Sequence, residues 1–276
     1  MRVVVLSDNR ATEAGFETEH GLSVYLETES YKCLLDVGAS DLFARNARRL
    51  NIELSDVDYL FVSHGHSDHM GGLPEFLKIN QKAKIVLSSQ IFNREFYSSR
   101  NSLRKISVDF DFERLKERLI VVDDRASLGE DILVLRPKIR KHPFPKANRT
   151  LFKSIGVELI NDDFDHEMIV IVGKEQRCVF TGCGHSGLLN ILESVTVEGG
   201  GQIACVMGGF HLLDSQNNTE FETGEEIVKL GQELKSRFPS TSFVTGHCTG
   251  DGAYNQLKNI LGEQLTQFYV GYELSI

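Results

Sequence analysis

Several features are missing from these 276 residues, and each absence narrows what the chain can be. No segment approaches eighteen consecutive apolar residues, so no membrane-spanning helix is expected. The opening MRVVVLSDNR enters a strand-like run at once, without the apolar stretch and small-residue cleavage site of a secretory leader, and a cytoplasmic location is expected. The five cysteines (Cys33, Cys178, Cys183, Cys205 and Cys248) are odd in number and include no CxxC pair. They lie mostly in or beside apolar strands, as reduced thiols do, and imply no disulfide framework. Positive charge is also short: 30 Lys and Arg face 39 Asp and Glu, for a net charge of -9 and a pI near 5.5. No overall field draws such a chain to nucleic acid or to an anionic membrane, so the expected partner is a small molecule, with a homo-oligomer left open. A GxSxG elbow, a P-loop and a paired-carboxylate motif are absent as well.

What is present suits a globular α/β chain. With 41% hydrophobic and 25% charged residues it can bury a substantial core. Strand-like runs occur at RVVVLSD, LSVYLET, KCLLDVG, DYLFVSH and AKIVLSS, with helix-like stretches at ASDLFARNARRLNI and GGLPEFLKIN. The later half repeats the recipe, with strands at EMIVIVG, RCVFTGC, IACVMGG and SFVTGH and helices at SGLLNILESV, GEEIVKLGQELKSRF and AYNQLKNILGEQL. Two sheets packed face to face with helices outside are expected, as one domain over residues 1–276. A polar stretch around residues 90–150, rich in proline, reads as a cap or insertion.

The densest chemistry lies in VSHGHSDHMGGL, residues 62–73. His64, His66, Asp68 and His69 alternate in a way that neither a strand face nor a helix face would arrange, so a tight loop must converge them. Imidazole with carboxylate suits zinc, and also manganese or iron, whereas calcium and magnesium prefer oxygen throughout. Four ligands in one loop cannot close two metal sites. Further candidates stand at three successive strand ends: Cys183 and His185 in TGCGHSG, His211 in GGFHLL, and His247 with Cys248 in TGHCTG. Each follows an apolar run, and consecutive strands of one layer bring such ends to one edge. His166, in DDFDHE, is a rival ligand.

HxHxDH followed by GG resembles the metallo-β-lactamase superfamily, whose four-layer αββα sandwich accommodates the element order above. The resemblance implies that His64 and His66 hold one metal, and that Asp68 and His69 hold a second. It implies that Asp36 of LLDVG supports the ligand loop and that His247 is the last ligand. Asp36 could alternatively cap the following helix. Cys183 stands where the superfamily usually has a bridging aspartate. A thiolate could bind there, or Cys183 could fill core space while His185 or His166 completes the first metal. Within the superfamily, EHGLSVYLE, LLDVGASDLFARNARRL, DDFDHE, TGCGHSGLLNIL, GGFHL and HCTG resemble the dihydropterin-ribofuranosylaminobenzene phosphate synthase-like proteins over residues 19–250.

Two divalent ions, zinc first, roughly 3.5–4 Å apart can lower the pKa of a shared water and hold the attacking and leaving oxygens of a displacement. A metal-dependent hydrolase acting on a phosphorylated or anionic small molecule is therefore expected, with Asp68 and Asp36 in the catalytic apparatus. The competing expectations are a transferase of the synthase type and a diiron redox or metal-sensing protein. The basic stretch Arg136, Lys138, Arg140, Lys141, Lys146 and Arg149 stands out in an acidic chain, and Arg140 and Lys141 are the expected grip on an anionic substrate.

Overall fold

Runs of β-branched and aliphatic residues between polar turns dictate most of the strands in the computed structural model, which describes residues 1–11, 13–215 and 219–276. The chain forms two compact units. The first comprises residues 1–123, 151–168 and 269–276, and the second residues 124–150 and 169–268.

In the first unit β1 (Arg2–Ser7), β2 (Ser23–Glu27), β3 (Lys32–Leu35), β4 (Tyr59–Phe61), β5 (Lys84–Ser88), β8 (Leu119–Val122) and β18 (Glu273–Ser275) form a seven-stranded sheet in the order β18-β1-β2-β3-β4-β5-β8. The strands from β18 to β3 are antiparallel, and those from β3 to β8 are parallel. Parallel neighbours need crossovers. Here these include α1 (Leu42–Arg49) between β3 and β4, and α2 (Ser67–Met70) with α3 (Leu73–Ile79) between β4 and β5. Helix α1 buries Leu42, Phe43, Ala44 and Ala47 and leaves Arg48 and Arg49 exposed, the amphipathic pattern of a helix lying on a sheet. Phe43, Leu73 and Phe76 share one core with Val4 and Leu6 of β1, while Val3 and Val5, equally buried, point to the opposite face. A smaller antiparallel sheet joins β6 (Phe96–Ser98), β7 (Arg104–Lys105), β11 (Leu151–Ile155) and β12 (Glu158–Asn161) in the order β12-β11-β6-β7, over a core of Phe96, Ile106, Leu151 and Phe164.

The second unit follows the same plan. Strands β9 (Arg125–Leu128), β10 (Ile132–Leu135), β13 (Ile169–Val172), β14 (Gln176–Phe180), β15 (Gln202–Gly208), β16 (Ser242–Thr245) and β17 (Leu265–Gln267) are ordered β17-β16-β15-β14-β13-β10-β9. Pairing is antiparallel from β9 to β14 and parallel from β14 to β17. Helices α4 (Leu188–Val197), α5 (Gly224–Arg237) and α6 (Asp251–Leu261) bury Ile191, Leu192, Ile227, Leu234 and Leu257 against Val179, Val206 and Phe243.

The stretch around residues 90–150, read from its polarity as a cap, is divided: β6, β7 and β8 belong to the first unit, and β9 and β10 to the second. Among the described residues no helix is long and apolar enough to cross a membrane.

Candidate metal-binding site

In the parallel part of each sheet, functional side chains collect in the loops that leave the carboxyl ends of the strands. In the first unit the chain leaves β4 through Ser63 and His64, turns at Gly65 and enters α2 from His66. The turn needs glycine, because a Cβ at position 65 would lie 2.3 Å from the Phe96 ring. His64 and His69 are fully buried and His66 nearly so, with ring centroids 4.5 Å apart for His64 and His66 and 4.1 Å for His64 and His69. Burial pushes His64 well below the usual imidazole range, and the neighbouring imidazoles add to the effect; burial also takes His66 down to about 3. Neutral imidazoles keep a lone pair for a metal.

Hydrogen bonds decide which nitrogen carries that lone pair. Asp36 follows β3 in a left-handed conformation (φ 57°) with its carboxylate fully buried. Its Oδ1 accepts the Ser63 N–H at 2.7 Å, and its Oδ2 accepts the Ser63 hydroxyl at 2.6 Å and the His69 Nδ1–H at 2.7 Å. Because the Ser63 proton is committed to Asp36, Ser63 Oγ accepts from His64 Nδ1 at 2.8 Å. Nε2 is therefore the lone-pair nitrogen in both His64 and His69, and His64 Nε2 faces His66 Nδ1 at 3.1 Å. Asp68, less buried, places Oδ2 3.7 Å from His69 Nε2 and 3.3 Å from Nε2 of the exposed His20.

His166 lies in the same unit, but both its ring nitrogens are engaged. Nδ1 accepts the Gly65 N–H at 3.1 Å and Nε2 donates to Asp162 Oδ2 at 3.0 Å, while the ring packs 4.1 Å from that of Phe96. Asp162 Oδ1 also accepts the Phe164 N–H at 2.8 Å, closing the turn in which Phe164 has φ 55°. His166 thus clamps the histidine loop by its backbone, and it also offers a ring nitrogen within 4.8 Å of ligand atoms of His66 and Asp162.

In the second unit the ends of β14, β15 and β16 bring up Cys183 and His185, His211, and His247 with Cys248, all buried. His211 and His247 adopt left-handed conformations with φ of 50° and 52°, backbone strain of the kind found at functional sites. The ligand atoms of Cys183, His211 and Cys248 lie within 4.8 Å of one another, and the His185 and His211 centroids are 4.1 Å apart. Gly209 admits this crowding, since a Cβ there would lie 2.4 Å from Cys248 Sγ. Burial would push the Cys248 thiol up, but hydrogen bonds with Cys183 and His211 and the nearby imidazoles hold it well below its ordinary value. His185 Nδ1 donates to Asn148 Oδ1 at 3.0 Å, and Asn148 Nδ2 donates to the His185 carbonyl at 2.8 Å, which again leaves Nε2 as the lone-pair nitrogen.

The basic stretch is largely committed to the chain's own groups. Arg136 and Lys138 pair with Asp124, Lys141 with Glu193 and Lys146 with Glu226; Arg149 donates to the Glu220 carbonyl. Arg140 donates to the Pro137 and Ile139 carbonyls and lies over the Phe144 ring. Sequence reasoning overlooked Ser63, Asn148 and Asp162, the partners that orient His64, His185 and His166. Asp162 could have been found from its place in DDFDHE, whereas Asn148 had no signal beyond its basic surroundings.

A sequence model of the metallo-β-lactamase superfamily matches residues 17–154, half of the chain. The chain belongs to the metallo-β-lactamase superfamily. Its fold implies divalent-metal binding, and the oriented imidazoles with nearby thiol and carboxylate groups are a donor set that fits such ions. Among curated superfamily relatives is the 7,8-dihydropterin-6-methyl-4-(β-D-ribofuranosyl)-aminobenzene-5'-phosphate synthase of Methanocaldococcus jannaschii, 28% identical over 93% of this chain and 90% of that protein. Among solved structures is Tm1679, a metal-dependent hydrolase of the β-lactamase superfamily, 29% identical with a TM-score of 0.82, covering 100% of this chain and 99% of that one. The short form of human tRNase Z shares the fold at 13% identity and a TM-score of 0.56, covering 100% and 99%.

Proposed function

We propose that the chain is a metal-dependent hydrolase of ester or phosphoester bonds in a small molecule, using two divalent ions, zinc first and manganese or iron next. The observation that carries the reading is the Asp36 hub, which parks the Nδ1 protons of His64 and His69 and leaves both Nε2 atoms as ligands. His64, His66, His69 and Asp68 would serve as ligands from the first unit, and His185, His211, His247, Cys183 and Cys248 are the candidates from the second. Bound ions would supply Lewis-acid polarisation and a nucleophile at neutral pH. In the reaction, water adds across the bond, and the proton it gives up rests on Asp68 Oδ2. His20, 3.3 Å away and half exposed, then passes it to solvent or to the leaving oxygen. An anionic group on the substrate would face the ions.

The test is elemental analysis of protein purified without chelators, together with hydrolysis of bis(p-nitrophenyl) phosphate and of a neutral aryl ester. About two transition-metal ions per chain and metal-dependent turnover of either reporter are expected. Metal-loaded protein that is inert on both would overturn the reading. A synthase-type transfer remains the second reading, favoured by the likeness to the M. jannaschii protein over nearly the whole of both chains.

A further inference from the structure

The first unit contains a cavity of about 690 Å³ that includes none of the ligand side chains named above. One wall is aromatic: Phe92 and Phe110 each meet Phe112 nearly edge to face, with ring centroids 5.1 Å apart in both pairs. At one end the lining reaches Gly65, inside the metal-ligand run, and Met70, which follows it, beside Phe96, whose ring is 5.7 Å from that of His66. The size falls within the range of roughly 300–1,000 Å³ typical of small-molecule sites. Three phenyl rings set at steep angles offer both faces and edges to a flat ring system.

The lining also selects by charge. It carries four carboxylates, Glu95, Asp109, Asp111 and Glu113, against two basic groups, Arg94 and Lys116. Arg94 is not free to receive an anion, because its Nη1 lies 2.7 and 2.8 Å from the two oxygens of Asp165. Glu95 and Asp109 share Lys105 and Asp111 pairs with Arg114 at 3.1 Å, whereas Glu113 stands at the exposed rim beside them. Such a rim attracts a cation, which the phenyl faces also accommodate, and repels an anion.

We propose that this cavity is a binding site for a planar aromatic compound that is uncharged or positively charged, held beside the histidine loop. The site stands independently of the hydrolytic reading, because binding there requires no metal.

The experiment is calorimetric titration of the purified protein with three probes that share one ring and differ in charge: 2-naphthylmethylamine, 2-naphthol and 2-naphthoate. The amine and the naphthol bind, and the naphthoate binds at least about tenfold more weakly than the amine. Phe112→Ala weakens the amine about tenfold. The paired rim substitutions Asp111→Asn and Glu113→Gln, at exposed positions, narrow the gap between amine and naphthoate without abolishing naphthol binding. Because the chain has no tryptophan, Phe110→Trp provides a single indole in the wall that can be excited apart from the tyrosines, and its emission changes on adding naphthol. Chelated protein binds the probes as the metal-loaded protein does, so a failure of the hydrolase reading leaves this result standing. The proposal is overturned if no probe binds, if the naphthoate binds tightest, or if the Phe110→Trp emission stays flat while calorimetry reports binding elsewhere.

Discussion

Asp36 illustrates how one carboxylate sets the chemistry of several neighbours. Three donors converge on its two oxygens, and an amide offers only one acceptor oxygen in their place. Asp36→Asn is therefore expected to release His69 or Ser63 from its set orientation and to lower zinc affinity about 10–100-fold, measured by competition with a chromogenic chelator. Unchanged affinity would remove Asp36 from the ligand-orienting role. Asp162 makes a related prediction about pH. Burial works against its carboxylate, but the hydrogen bonds it accepts from His166 and from the Phe164 N–H overcome this and bring it down to about 2 from 3.8. A group depressed on folding contributes stability that is complete above its unfolded value and is lost as pH falls through the folded one. The Asp162 contribution, on the order of 2 kcal/mol, is thus present above about pH 4 and gone below about pH 2. Melting temperatures of the parent and of Asp162→Asn should differ most near neutrality and converge toward pH 2; a difference constant with pH would contradict the assignment.

Among the elements, α5 shows the most complete local signal. Thr223 Oγ1 accepts the Glu226 N–H while Glu226 Oε2 accepts the Thr223 N–H, a capping box that sets the start of the helix, and Ile227, Gly231 and Leu234 follow at helical spacing on the buried face. Thr223→Ala is expected to cost about 1 kcal/mol, read as a lower denaturation midpoint with an unchanged slope. A loss below about 0.3 kcal/mol would show that packing alone fixes this terminus. The corner between α2 and α3 is set differently. A Cβ at Gly72 would lie 2.1 Å from the Val37 carbonyl, so that glycine serves a close approach between backbones. The sequence signals its permissiveness but not the partner that requires it.

For the molecule as a whole, the basic stretch separates what charge counting suggests from what packing leaves available. Arg140 donates to chain carbonyls and the exposed Lys141 lies 3.6 Å from Glu193; Arg140→Glu and Lys141→Glu are each expected to change turnover of an anionic reporter less than about twofold. A larger loss confined to the anionic reporter, with metal content unchanged, would restore this stretch to substrate binding. Half of the framework could be read in advance because periodicity is local: among the described residues, β1 to β5, β13 to β16 and every helix but the four-residue α2 announce themselves in runs of apolar residues. The strands between β5 and β13 and the last two were not read: β7 and β12 are short or solvated and carry no apolar pattern, while β8 and β10, though apolar, lie in the stretch read as a polar cap. The donor types were equally legible, because HxHxDH concentrates metal-ligand chemistry within six residues whatever surrounds it. What the sequence alone determined is therefore the local part: the elements, the donor set and the superfamily it signals. Tertiary structure alone decided the hydrogen-bond partners: the Gly65 N–H and Asp162 meet the two ring nitrogens of His166, whereas Asn148 meets Nδ1 of His185. The physical reason is that a lone pair's availability depends on which donor or acceptor arrives from residues as many as 101 positions away along the chain, and only folding brings them together.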